Sequence, residues 1–276
     1  MIAQNFEYAT PASLKEALTM LSAGDAKILA GGMSLIPMMK LRLAAPDRVV
    51  DLSRVPGLKG ITEEKGTIRI GAMTTHHEVE DSPLLRGKCP LLAETASNIG
   101  DVQVRNMGTI GGSVAHADPA ADYPAALLAL EAKVRLVSVG SERTLSVEDF
   151  LVDTLTTAIE PGEILQEVIV PAETSDTGVS YQKMVHPASG FAIVGIAVRV
   201  RKNFARVGVT GVAGKAYRAA NVEKILLETR DVQKAAAAVA DGVDANSDIY
   251  ASSDYRKQMA RVYTARALTQ ALSRAS

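Results

Sequence analysis

Two pairs of consecutive glycines are the residues of this 276-residue chain whose chemistry is easiest to interpret. Gly31-Gly32 follows an apolar run in AKILAGGMSLIP, and Gly111-Gly112 lies in TIGGSVAHADPAAD. Consecutive glycines let the backbone adopt positive φ and approach a ligand without an intervening Cβ. Where such a turn leads into a helix, free N–H groups form a concavity that suits phosphate. Each pair alone is also compatible with an ordinary turn, but together they predict a two-sided cradle for a diphosphate-bearing cofactor.

The known nucleotide-binding motifs do not account for these glycines. Neither segment has the G-x-G-x-x-G spacing of dinucleotide-binding folds or the G-x-x-x-x-G-K-[ST] spacing of P-loops. The nearest match is GVTGVAGKA, from Gly208, where the glycine spacing is wrong and Ala216 replaces the required hydroxyl residue. We interpret this segment as the end of a strand, without a nucleoside triphosphate site.

Three histidines lie near these segments. Neighbouring residues on a helix point about 100° apart, so His76 and His77 do not converge on one metal ion. Thr75 and Glu78 instead have the spacing of a capping box. His116 lies within the second glycine segment, where it could line a ligand site or be satisfied by backbone groups.

Two acidic residues follow the second glycine pair, and their role stays open at this point. Asp118 and Asp122 are the first and last residues of the sequence DPAAD. They could form a catalytic carboxylate pair, or Asp122 could mark the start of a helix. A third interpretation is that a carboxylate holds the ribityl chain or the ring edge of a cofactor.

Composition excludes several classes of protein. Hydrophobic residues make up 47% and charged residues 22%, as in ordinary globular proteins. A formal net charge of −1 gives no bulk attraction to nucleic acid or to an anionic membrane, so neither partner is expected. The apolar runs are shorter than the roughly 20 residues of a membrane-spanning helix, and the first residues lack a signal-peptide pattern. We therefore expect a cytoplasmic protein without membrane insertion.

Cys89 is the single cysteine of the chain. One thiol cannot form an internal disulfide or supply an iron–sulfur cluster or a cysteine-based zinc site. Such a count fits a reducing compartment. Cys89 precedes Pro90 in an apolar stretch, and we predict that it serves only for packing.

The elements around the glycines alternate between strand, turn and helix. TPASLKEALTMLSAGD predicts a helix with Thr10 as its N-cap, AKIL a buried strand leading into Gly31, and RVVDLSRV another strand. GTIRIG predicts a strand before a helix that starts near His76. CPLLAETASNIG and DYPAALLALE predict helices, whereas KVRLVSV and EILQEVIV predict strands.

The sequence changes character after Pro171. AETSDTG is polar and predicts a linker, and VSYQKM, GFAIVGIAVRVR and ARVGVTGVAG predict antiparallel strands with a turn at Lys202-Asn203. Three helical stretches follow, the last from about Ser253 to Ser273. We place a domain boundary near residue 172. This gives a domain of residues 1–172, with subdomains of about 1–55 and 56–172, and a second domain of residues 173–276.

Two stretches taken together resemble a known family. AGGMSLIPMMKLRLAAPDRVVDL and QVRNMGTIGGSVAHADPAADYPAAL closely resemble the FAD-binding medium subunit of molybdenum hydroxylases, the family of aerobic carbon monoxide dehydrogenase and xanthine dehydrogenase. The similarity continues through SYQKMVHPASGFAIVGIAV to DYRKQMARVYTARAL and covers essentially the whole chain. It implies an α+β fold, with a vanillyl-alcohol-oxidase-type (PCMH-type) FAD-binding domain of two α/β subdomains. A smaller α+β domain, with an antiparallel sheet and helices, would follow.

The resemblance also implies which residues bind FAD. The pyrophosphate would be held, largely by backbone N–H groups, by Ala30, Gly31, Gly32, Met33, Ser34 and Leu35. Thr109, Ile110, Gly111, Gly112 and Ser113 would form a second cradle, with Asp122 bonded to the adenosine or ribityl side. Ile99 and Val102 would pack on the flavin or adenine, and Leu165, Tyr181 and Lys183 would lie near the isoalloxazine ring. Met33 departs from the family, whose members often carry glutamine or histidine there, and His186 occupies a place that is often basic.

The function implied by the resemblance is electron transfer within a heterotrimer. A large subunit would oxidise the substrate at a molybdenum cofactor, and a small subunit would pass the electrons through [2Fe–2S] clusters to the FAD of this chain. An external acceptor would then receive them, and the assembly is expected to be a dimer of heterotrimers. No residue of this chain is expected to be catalytic or to bind a metal. Two alternatives stay open, a stand-alone FAD-dependent oxidoreductase with its own substrate and a non-enzymatic binding module.

Overall fold

The structure is a computed structural model that describes residues 2–22 and 24–275. Its strands are β1 (Glu7–Ala9), β2 (Ala26–Leu29), β3 (Arg48–Asp51), β4 (Ile61–Glu64), β5 (Thr67–Gly71), β6 (Lys133–Ser138), β7 (Ser141–Ser146), β8 (Leu151–Asp153), β9 (Thr156–Thr157), β10 (Ile164–Pro171), β11 (Gly178–Val185), β12 (Ala192–Arg201), β13 (Phe204–Thr210) and β14 (Tyr217–Arg218). Its helices are α1 (Leu14–Leu21), α2 (Leu35–Lys40), α3 (His76–Asp81), α4 (Pro83–Lys88), α5 (Pro90–Ser97), α6 (Val102–Met107), α7 (Ile110–His116), α8 (Tyr123–Ala129), α9 (Val147–Phe150), α10 (Ala220–Thr229), α11 (Val232–Ala237) and α12 (Ser253–Arg274).

A small parallel sheet carries the first glycine pair. Its strand order is β1-β3-β2, and β3 pairs in parallel with both neighbours. The helix α1 begins after Ser13, whose hydroxyl accepts the Glu16 N–H at 3.2 Å. The predicted N-cap at Thr10 is therefore wrong, because the Glu16 carboxylate also accepts the Ala12 N–H at 2.7 Å and fixes the start of the helix there.

A five-stranded antiparallel sheet forms the next layer, in the order β4-β5-β10-β6-β7. Alternate residues of its strands, such as Ile68 and Ile70 of β5, are fully buried, as expected for a sheet with one face on the core. The helices α5 and α8 pack on this core, and Tyr123 of α8 is among its largest fully buried side chains. The sheet and its helices thus form a support for the second glycine pair.

The last third of the chain forms a four-stranded antiparallel sheet in the order β11-β12-β13-β14. The turn between β12 and β13 lies at Lys202-Asn203, as predicted, because Arg201 and Phe204 are the last paired residues. The helices α10, α11 and α12 share an apolar core with this sheet. A Cβ at Gly208 would overlap the Ala125 carbonyl, so α8 packs directly on β13 and joins this sheet to the rest of the molecule.

In the part of the chain that the structure describes, no helix combines the length and the apolar character needed to cross a bilayer.

Candidate functional site

A cavity of about 760 Å³ lies beside the two glycine segments. Its wall also includes the turn Ile99–Gly100, Leu165 of β10 and a loop of the C-terminal half, Ser189–Phe191. This volume falls within the range of roughly 300–1,000 Å³ that is usual for small-molecule sites. The cavity is therefore the place where the predicted site residues can be compared with one another.

The first glycine segment offers unpaired backbone donors to this cavity. Residues 30–34 connect β2 to α2, and residues 31–35 line the wall. Gly32 has φ of 76°, a conformation that favours glycine. Among the hydrogen bonds of the described residues, none has the N–H of residues 31–35 as its donor, whereas the Ile36 N–H bonds to the Gly32 carbonyl at 3.1 Å. Successive free N–H groups form an anion-binding concavity, so this segment can bind phosphate.

Close contact between the two glycine segments explains why residue 31 is a glycine. A Cβ at Gly31 would overlap the Met107 carbonyl oxygen and lie 2.7 Å from the Gly108 Cα. A Cβ at Gly112 would lie 3.4 Å from the Ala30 Cβ. Gly31 is thus required by the packing of protein on protein, and this packing places both segments at one cavity.

The second glycine segment is helical rather than a loop. It forms the first turn of α7, with Thr109 as the N-cap. Its backbone donors are already used: the N–H groups of Ile110, Gly111 and Gly112 donate to the Thr74 carbonyl, the Ala72 carbonyl and the Thr109 Oγ1 at 3.0, 2.9 and 3.1 Å. The second cradle can therefore offer a ligand the hydroxyl groups of Thr109 and Ser113, but not a row of free N–H groups.

Asp122 is a buried carboxylate on the cavity wall, with 4% of its surface exposed. The Lys183 Nζ lies 2.8 Å from its Oδ1 and 3.0 Å from its Oδ2, and the Tyr181 hydroxyl donates to Oδ1 at 2.5 Å. Burial raises the pKa of Asp122, while the charge and hydrogen bond of Lys183 act against this rise. Burial also raises the pKa of Tyr181 well above its ordinary value, so its hydroxyl stays a neutral donor.

The two acids of DPAAD both line the cavity but make different contacts. The Asp118 Oδ1 accepts the Ala120 N–H at 2.8 Å, which is a local turn contact. Asp122 stands at the N-cap position of α8, but its side chain makes no capping hydrogen bond. Asp122 therefore marks the start of α8, as one interpretation predicted, while Lys183 and Tyr181 rather than the helix N–H groups hold its carboxylate.

His76 is a buried histidine on the cavity wall, 4% exposed. Its Nδ1 lies 3.2 Å from the Tyr123 hydroxyl, and burial, together with the charge of Arg105, lowers its pKa to about 4. The ring is consequently neutral near pH 7. The predicted capping box between Thr75 and Glu78 is present.

The remaining titratable candidates are His116 and Cys89. His116 ends α7 and lines the cavity. Cys89 is fully buried, and burial raises the pKa of its thiol to about 12, which agrees with a packing role. Over residues 2–22 and 24–275, the structure places no three His, Cys, Asp or Glu side chains where they could hold a metal ion.

The cavity wall contains most, but not all, of the residues that the resemblance implies. Those on the wall are Ala30, Gly31, Gly32, Met33, Ser34, Leu35, Ile99, Thr109, Gly111, Gly112, Ser113, Asp122 and Leu165. Val102 is instead 63% exposed, because it begins α6 on the surface, and Ile110 is fully buried in the core. Tyr181 and Lys183 are not part of the wall. Both bond to Asp122, and Lys183 also donates to the Asn98 carbonyl next to the wall residue Ile99.

Several wall residues were not anticipated. They include His76, the segment Glu160–Glu163 and the loop Ser189–Phe191. They come from distant parts of the chain, and no local motif marks them. Only the packing of the sheets brings them to the glycine segments.

Comparisons with known proteins agree along the whole chain. The sequence profile described as the FAD binding domain in molybdopterin dehydrogenase matches residues 4–173. The profile described as the CO dehydrogenase flavoprotein C-terminal domain matches residues 179–271. The two matches follow one another in the order expected from the resemblance.

Individual relatives are similar over their full lengths. The carbon monoxide dehydrogenase medium chain of Hydrogenophaga pseudoflava is 40% identical, over 99% of both chains. Subunit alpha of the 6-hydroxypseudooxynicotine dehydrogenase complex of Paenarthrobacter nicotinovorans is 38% identical, over 98% of this chain and 96% of its own. A solved structure of the Hydrogenophaga pseudoflava carbon monoxide dehydrogenase, in a form that lacks the Mo-pyranopterin moiety of the molybdenum cofactor, matches with a TM-score of 0.96. It is 41% identical and covers 100% of both chains.

These similarities confirm the predicted α+β fold class, the FAD cofactor and the assignment to the oxidoreductases. The residues matched by the two profiles include both glycine segments and the cavity wall. The chain belongs to the family of FAD-binding medium subunits of molybdenum hydroxylases, the carbon monoxide dehydrogenase and xanthine dehydrogenase type.

Proposed function

We propose that this chain is the electron-transfer subunit of a heterotrimeric molybdenum hydroxylase. A small partner would deliver electrons from its [2Fe–2S] clusters to the FAD of this chain, which passes them to an external acceptor. A large molybdopterin-binding partner would oxidise the substrate. The observation that carries the proposal is the row of free N–H groups at residues 31–35 on the wall of the large cavity.

The residues of the cavity fit the parts of an FAD molecule. The free N–H groups suit its pyrophosphate, and the hydroxyls of Thr109 and Ser113 suit polar groups of its sugar or ribityl chain. Asp122 can accept hydrogen bonds from hydroxyl groups, while Ile99 and Leu165 offer apolar surface to a ring. Bound FAD would supply the redox chemistry, and this chain would orient the flavin and shield it from water.

The network behind Asp122 has a role in this proposal. Lys183 and Tyr181 lie on β11, whereas Asp122 precedes α8, so the buried ion pair connects the two matched segments of the chain. The bonds from Lys183 and Tyr181 together fix the position of the Asp122 carboxylate more strongly than either bond alone. We propose that Lys183 and Tyr181 hold Asp122 in place for the cofactor. We also propose that the boundary between the two domains lies near residue 172.

The substrate is proposed to be determined by the large partner. One relative belongs to a carbon monoxide dehydrogenase and another to a 6-hydroxypseudooxynicotine dehydrogenase complex, although both are similar to this chain over nearly its full length. Similar medium chains therefore accompany different substrates. The dimer of heterotrimers and the cytoplasmic location stay predictions.

Purification of the native complex tests this function. We expect the chain to retain FAD and to co-purify with two further polypeptides, together with molybdenum and iron. An active FAD monomer that oxidises a substrate without metal-containing partners would refute the proposal in favour of a stand-alone oxidoreductase. A colourless chain that fails to take up added FAD would favour a non-enzymatic binding module.

A further inference from the structure

We infer that Arg105 is a positioning residue for the flavin site, because it fixes the turn Asn98–Gly100 that forms part of the cavity wall. Arg105 itself is not a wall residue. It would act on a bound flavin only through the turn. The inference rests on the proposed function, since it concerns FAD in this cavity.

Cations hold this turn at three consecutive carbonyl groups. The Lys183 Nζ donates to the Asn98 carbonyl at 2.8 Å. The Arg105 Nη1 donates to the carbonyls of Ile99 and Gly100 at 3.1 and 3.3 Å. Hydrogen bonds from charged donors are stronger than neutral ones, so the turn is fixed on one side by two charged side chains.

The guanidinium group of Arg105 is oriented by a second partner. Its Nε lies 2.8 Å from the Glu80 Oε2, and the two side chains are only 16% and 24% exposed. A planar guanidinium can bind a carboxylate and two carbonyl groups at once, because its donors lie in a rigid fork. The single ammonium group of a lysine cannot reproduce this geometry.

The turn also contacts the C-terminal half of the chain. Gly100 has φ of 48°, and a Cβ there would lie 2.9 Å from the Val104 Cβ. A Cβ at Gly190 would lie 3.3 Å from the Gly100 Cα. Ile99, Gly100 and Gly190 all belong to the cavity wall, so a shift of the turn changes both the wall and this contact.

The test compares FAD binding by the full-length wild type, R105A and R105K. The matched control is R218Q, because Arg218 also forms a partly buried pair with a glutamate, Glu223, at 3.0 Å but lies away from the cavity. We expect R105A to weaken FAD binding about tenfold, R105K to weaken it less, and R218Q to stay within about twofold of the wild type. Visible circular dichroism of the flavin still bound should change in R105A and not in R218Q.

Chemical rescue distinguishes positioning from general stability. Guanidinium chloride at low, non-denaturing concentration should restore FAD binding to R105A, whereas sodium chloride at equal ionic strength should not. The inference is overturned if R105A binds FAD with wild-type affinity and an unchanged flavin spectrum, or if guanidinium brings no recovery. Should R105A fail to fold, wild-type binding by R105K would overturn it and weakened binding would support it. A wild-type chain that binds no FAD would instead refute the proposed function.

Discussion

Buried His76 makes the stability of this protein depend on pH in a direction that can be worked out. Its pKa is lowered to about 4 in the folded chain, against roughly 6.5 in an unfolded one. The unfolded state therefore binds more protons between these two values, and the free energy of unfolding decreases as the pH falls through them. The loss amounts to about 2 kcal/mol between pH 8 and pH 5, and to about 3 kcal/mol once the pH is below 4.

Urea unfolding of the wild type and His76→Gln at pH 8 and pH 5 measures this effect. Glutamine does not titrate and retains an amide that can bond to the Tyr123 hydroxyl, the partner of His76 in the native fold. We expect the wild type to lose about 2 kcal/mol more than the variant between the two pH values. Other titrating groups are common to both proteins and cancel in this difference. Equal losses in the two proteins would refute the assignment of a buried, neutral His76.

Two further substitutions test the packing and charge of the site. Gly111→Ala should destabilise the fold by about 1–3 kcal/mol in thermal or urea unfolding, because the new Cβ would overlap Ala72. Gly87→Ala in α4, where a Cβ meets nothing within 4 Å, should stabilise the fold by up to about 1 kcal/mol. A change of stability with the same sign in both variants would contradict the packing argument. Lys183→Ala should cost about 3–5 kcal/mol, since it leaves the Asp122 carboxylate buried without its cation. Redox titration of this variant should show a lower flavin potential, and an unchanged potential would exclude an electrostatic role for Lys183.

The first glycine segment could be predicted from sequence because its structure is local. The strand AKIL, the turn at Gly32 and the capping box at Thr75 each depend on residues close together in the chain. The sequence places the N-cap of α1 at Thr10, three residues too early, because Thr10 and Ser13 are both good caps and only the bonds of Glu16 select Ser13. Local rules therefore identify an element more reliably than its boundary.

Other parts of the site depend on contacts that no short motif records. Thr109 caps α7, and its backbone pairs with Thr75, which is distant in the sequence. The sequence around Lys183 does not indicate that its partner is Asp122. The short strand β1 depends on its parallel pairing with β3. The family resemblance identifies many of the cavity residues, but the division between wall residues and supporting residues depends on the fold.

Titration of the chain with FAD, followed by flavin fluorescence, tests the central claim most directly when two glycine variants are compared. Gly32 and Gly57 have φ of 76° and 79°, so alanine brings similar backbone strain of about 1–2 kcal/mol at either position. Only Gly32 belongs to the cavity wall and to the row of free N–H groups. We predict one FAD per wild-type chain, unchanged affinity for Gly57→Ala and at least about tenfold weaker binding for Gly32→Ala. Equal affinities in all three proteins, or no FAD binding by the wild type, would contradict the account.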